Sequence, residues 1–152
     1  MNAHWKVPYE VSSVTDARWA LRSMLEEAGS STDESDAAAM VITELLANAI
    51  VHSERRNEFI DVVVQSSAEQ IHIEVTDHNP RPPVQREISR DASSGRGLTI
   101  VDALSSAWGW ERVEGDGKRV WCDMPLSGTL GGAGGGQGGM RRDSASGIPR
   151  IY

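Results

Sequence analysis

The sequence has one cysteine, Cys122, so no disulfide can form within the chain. That suits a reducing compartment, and the expected location is cytoplasmic. Cys122 lies in an apolar run, where packing rather than nucleophilic chemistry is its expected role. Long hydrophobic runs are missing too. No stretch approaches the ~18 apolar residues that cross a bilayer, and no basic head followed by an apolar run opens the chain. Neither a membrane span nor a signal peptide is therefore expected. Positive charge is scarce: 15 Lys and Arg stand against 22 Asp and Glu. Residues 127–152 hold three basic side chains and one acidic one, which leaves 12 basic and 21 acidic in the first 126, a net −9. A domain of that sign repels a phosphate backbone, which argues against nucleic acid as the partner. A phosphate ligand that arrives with a neutralising metal is a different case, and a protein with a basic surface would be attracted. The Walker sequence GxxxxGK[ST] is also absent.

What is present is one ordinary domain followed by a tail. Residues 127–152 include nine glycines among 26 residues, too little apolar surface to offset the entropy of ordering, and are expected to be flexible. Residues 1–126 read as alternating elements. A first strand is expected over 5–11. Ser13-x-x-Asp16 resembles a capping box, with Val14, Ala17, Leu21, Met24, Leu25 and Ala28 at helical spacing and Gly29 as a stop. Ser31 or Thr32 could cap a second helix reaching about residue 52. Strands are expected over 59–64 and 71–75, joined as a hairpin. A 17-residue irregular stretch from His78 to Ser94, with three prolines, has the length of a functional lid. A third helix over 97–107 follows, then strands over 108–113 and 119–124 around the turn Gly115-Asp116-Gly117. About five mostly antiparallel strands with three helices on one face make a two-layer α+β sandwich.

The second helix carries the chemistry. Almost every position from Ala37 to Val51 is apolar or small, but Glu44, Asn48 and His52 recur at i, i+4, i+8 and share one face. A polar row on an otherwise apolar helix points toward a polar ligand, a metal or water, because buried polar groups need partners. Thr43-Glu44-Leu45-Leu46-Ala47-Asn48-Ala49-Ile50-Val51-His52 resembles the N-box of the GHKL ATPase superfamily, and its wording is closest to bacterial anti-sigma-factor serine kinases. The resemblance implies that Asn48 ligates Mg²⁺ and that Glu44 is the catalytic carboxylate that activates the nucleophile. Magnesium prefers oxygen ligands and keeps waters, so one amide oxygen plus phosphates can suffice.

Two further segments follow in the order of that family. Asp77 ends a strand and matches the aspartate whose carboxylate accepts the adenine amino group. Asn79 stands where the superfamily has glycine, in Asp77-His78-Asn79, and could face the nucleotide. Gly95-Arg96-Gly97 opens a helix and matches the phosphate-binding loop: glycines let backbone N–H groups approach phosphate, helix N-termini favour anions, and Arg96 could add a charge-assisted contact. It does not continue as the Rossmann GxGxxG. In many relatives a Thr or Ser follows the glycine of the closing hairpin and touches the adenine site; here Lys118 and Arg119 follow Gly117.

The resemblance implies ATP and Mg²⁺ as cofactors and, as the first reading, an anti-sigma-type serine/threonine kinase that phosphorylates a small antagonist protein. A sigma factor and a second copy of the chain are further implied partners. The alternative is a non-catalytic ATP-binding module that recruits a partner. A sensor histidine kinase would need a phosphoacceptor helical domain, for which this chain has no room.

Overall fold

The computed structural model describes residues 1–51, 58–79, 81–83 and 97–126. His52, Gly95, Arg96 and the segment 127–152 lie outside the described residues. The chain runs β1 (Asn2–Pro8), α1 (Val11–Glu27), α2 (Thr32–Val51), β2 (Phe59–Ser66), β3 (Gln70–Asp77), α3 (Gly97–Leu104), β4 (Ala107–Val113) and β5 (Gly117–Pro125). The five strands form one open sheet in the order β1-β2-β3-β5-β4, and every pairing is antiparallel. This is the expected α+β arrangement of three helices on a five-stranded sheet.

Period-two patterning gives the sheet two unlike faces. Ile60, Val62 and Val64 of β2, Ile71, Ile73 and Val75 of β3, and Val120, Cys122 and Met124 of β5 are buried in the core. They meet Leu21 and Leu25 of α1, Val41, Ile42, Leu45 and Leu46 of α2, and Leu98 and Val101 of α3. Several of the alternate residues carry charge. His72 bonds Asp123 at 2.6 Å and Glu74 at 3.0 Å. Arg119 reaches Glu111 at 3.0 Å, while His4 and Lys6 both reach Asp61, at 2.9 and 3.1 Å. Burial alone would lower the His72 imidazole, but the hydrogen bonds and charges of Asp123 and Glu74 outweigh it, so its pKa is raised. Cys122, on the core face, has its thiol pushed up to about 12, first by burial and then by the charge of Asp123; it is a packing residue.

Three local details differ from the sequence reading. β1 ends at Pro8 rather than at residue 11, and α1 starts at Val11 behind Glu10, which makes no side-chain cap. Ser13 is buried inside the first turn and caps nothing. The capping box lies instead at α2: Ser31 Oγ accepts the Glu34 N–H at 3.3 Å, and Glu34 accepts the Ser31 N–H at 2.8 Å. The third difference is at α3, which stops at Leu104, because Ala107 already pairs with Asp123 in β4. The β4–β5 turn agrees with expectation, with Gly115 at φ 82° and Asp116 at φ 60°.

Candidate functional site

α2 crosses the sheet between α1 and α3, against β3, and this placement decides which of its residues are available. Leu45, Leu46 and Ala49 face the core, while Glu44 and Asn48 are half-buried on the flank, one turn apart. Burial pushes the Glu44 carboxyl above its ordinary value. Glu44 also lines a cleft of about 450 Å³ between α1 and α2, together with Arg18, Trp19, Arg22, Met40 and Thr43.

At the end of β3, the core-facing row of Ile71, Ile73 and Val75 continues into Asp77, which is 1% exposed. A carboxylate in that row needs a partner. It has two. The Asn79 N–H donates to Oδ1 at 2.7 Å, and the Lys118 ammonium donates to Oδ1 at 3.0 Å and lies 2.8 Å from Oδ2. Lys118 also reaches the Asn79 carbonyl oxygen at 3.4 Å. Burial pushes the Asp77 carboxyl up, and the hydrogen bond and charge of Lys118 draw it part of the way back.

Strand register explains the pairing. Asp77 and Lys118 are directly opposed in the β3–β5 ladder. Gly117 makes the approach possible, since a Cβ there would run into the Asp77 carbonyl oxygen. Asn79 takes the glycine's place without left-handed backbone: among the described residues the only non-glycine at positive φ is Asp116. Its side chain instead accepts the Arg81 N–H at 3.0 Å, an Asx-type turn. His78 is tied down through its N–H, which donates to the Tyr9 hydroxyl at 2.9 Å.

The structure thus brings Asp77 and Asn79 together and places Glu44 and Asn48 side by side on α2. Gly97 begins α3, and its companions Gly95 and Arg96 lie outside the described residues. Lys118 follows Gly117 where many relatives carry a Thr or Ser, but its pairing with Asp77 was not expected from the sequence. A signal for its burial was present, because Lys118-x-Val120-x-Cys122-x-Met124 alternates in step with the buried face. Two tryptophans of the closing strands pack: Trp108 is in the core and its Nε1 donates to Asp102 at 3.0 Å, and Trp121 stacks on His72 across the outer face.

Among solved structures, the chain is similar to the RsbU and RsbW domains of Rv1364c from Mycobacterium tuberculosis, with 18% identity and a TM-score of 0.65 over 83% of this chain and 32% of that one. It is also similar to the SiaB–SiaC complex from Pseudomonas aeruginosa, with 14% identity and a TM-score of 0.63 over 80% of this chain and 88% of that one. The chain therefore spans about a third of the mycobacterial protein's length. At these identities the likeness is one of fold. Comparison with curated proteins finds no match. The description "Histidine kinase-like ATPase domain" matches residues 7–124, nearly all of the described fold. With that span matched from β1 to β5, the chain belongs to the histidine kinase-like ATPase domain family, and membership implies ATP binding.

Proposed function

We propose that the chain is an ATP- and Mg²⁺-dependent regulatory kinase of the anti-sigma type, transferring phosphate to a serine or threonine hydroxyl of a small antagonist protein. The observation that carries the reading is Glu44: a half-buried carboxylate whose pKa burial raises, one helical turn from Asn48 in a helix otherwise given to packing. A base with a raised pKa is better matched to taking a hydroxyl proton near neutral pH.

In this reading the Asn48 amide oxygen holds magnesium, a hard cation that suits an oxygen ligand. Magnesium, when bound, offsets the charge of the phosphates. Glu44 accepts the proton of the attacking hydroxyl. Asp77, with Asn79 beside it, reads the base, and Gly95, Arg96 and Gly97 receive the phosphates. The chain's negative charge favours a partner with a basic surface, such as a sigma factor or its antagonist. A cytoplasmic setting and a homodimer belong to the same proposal. No described helix is long and apolar enough to cross a membrane.

The test is transfer of labelled phosphate from ATP to antagonist-type protein substrates, with Glu44→Ala run beside the parent. Transfer by the parent, lost in Glu44→Ala with ATP affinity kept, is the expected result. ATP binding without transfer to any substrate would favour the second reading, a non-catalytic ATP-binding module. The engagement of the Asp77 carboxylate by Lys118 bears on nucleotide binding in both readings alike.

A further inference from the structure

A carboxylate that reads a base must keep a lone pair free for it. A carboxylate offers about four lone-pair directions. At Asp77 one is taken by the Asn79 N–H and two by the Lys118 ammonium, one on each oxygen. On the other side of the pair, Lys118 has three N–H donors. The ammonium donates to Asp77 Oδ1, lies 2.8 Å from Oδ2, and donates to the Asn79 carbonyl oxygen. No N–H of the ammonium remains for a ring nitrogen or a base carbonyl. Both side chains are at most 2% exposed, so water does not compete for them. The pair is balanced in charge and the ammonium is fully used, while one lone-pair direction of the carboxylate, on Oδ2, is left over.

The amino group of adenine and the ammonium of lysine are both N–H donors, and both seek this carboxylate. The ammonium carries full charge and so makes the stronger bond. We propose that Lys118 is a built-in competitor for the nucleotide base: its ammonium holds the place on Asp77 that the adenine amino group requires, and nucleotide binds only as Lys118 withdraws. The proposal rests on Asp77 being the base-reading residue of the function proposed above.

The exchange asks only the Lys118 side chain to move: its backbone is held in β5 opposite Asp77, and a lysine's four-carbon stem is flexible. Asp77 would keep its Asn79 N–H throughout. The consequence is a domain whose nucleotide affinity is set by how often the lysine leaves: apparent affinity falls in proportion to the fraction of molecules with the site open.

The experiment uses the full chain. MgATP is titrated calorimetrically into the parent and into Lys118→Thr, whose shorter side chain cannot reach Asp77 as an ammonium does. In parallel, the lysine ammonium resonances of the ¹⁵N-lysine-labelled parent are followed as MgATP is added. The expected result is binding at least about tenfold tighter in Lys118→Thr, as for a parent site open in at most about one molecule in ten, together with loss of the protected Lys118 resonance as the parent fills. A folded Lys118→Thr that binds no tighter than the parent overturns the proposal. So does a Lys118 resonance that persists unchanged in parent saturated with MgATP; should Lys118→Thr not fold, that resonance decides. Tight binding by the parent with Lys118 undisturbed removes the competitor and leaves the base site standing. No binding by the parent or by any folded variant removes both.

Discussion

Glu44 shows how a single side chain is tuned by where its helix lies. On an exposed helix its carboxyl would titrate near the ordinary glutamate value of 4.5; half-buried beside the α1–α2 cleft, it is shifted upward by desolvation. If Glu44 is the base, the rate of phosphate transfer falls as pH drops through that raised pKa, because the protonated acid cannot accept the hydroxyl proton. The pH–rate profile of the parent should therefore show an acid limb displaced above the usual glutamate range. Glu44→Gln should lose most of the rate and, in what remains, the limb itself, by roughly 10²-fold or more, the size of a general-base contribution. A limb unchanged in Glu44→Gln would assign it to another group.

Individual elements report on the sequence signals that shaped them. At α2, Ser31 and Glu34 satisfy each other's backbone donors, so Ser31→Ala should cost about 1 kcal/mol of stability in denaturant unfolding. At β5, Gly117 is needed for space: Gly117→Ala places a methyl against the Asp77 carbonyl oxygen and should cost roughly 1–3 kcal/mol, with weakened protection of the β3–β5 amides in hydrogen exchange. The strands and the long helices were legible because alternation and helical spacing are local and repeat many times, as in Ile71-x-Ile73-x-Val75. The start of α1 was not, since Ser13 and Asp16 have cap-like spacing while Pro8 and the turn at Glu10, whose N–H donates to the Pro8 carbonyl oxygen at 2.8 Å, set the helix start earlier. α3 was overextended because Ser105 and Ser106 carry no stop signal, and the demand that Ala107 pair with β5 comes from the sheet. In the site, Glu44 and Asn48 stood out as polar residues on an apolar helix, and Asp77 by its place at a strand end and its match to the family's adenine-reading aspartate. That Lys118 would meet Asp77 depends on which strands neighbour each other, and β3 beside β5 is a long-range fact no local pattern states.

For the whole molecule, the two faces of the sheet divide the work: helices and core on one side, a lattice of mixed charge on the other. His72 is the titratable centre of that lattice, between Asp123 and Glu74 and stacked on Trp121. Its folded pKa is raised above the unfolded value of about 6.5. The stability this contributes is therefore fully present below the unfolded pKa and is lost as pH rises through the folded one. Thermal unfolding followed upward from pH 6 should show this loss, and His72→Gln should flatten it; equal slopes in parent and variant would place the effect elsewhere. The opposed pair on the inner face has a different reach, across generations of the sequence. Losing either Asp77 or Lys118 alone strands the other charge in the core, at a cost of about 3–5 kcal/mol, a large share of a domain's stability. Descendants should therefore change the two positions together or leave both alone, so that they are inherited as one unit although 41 positions apart.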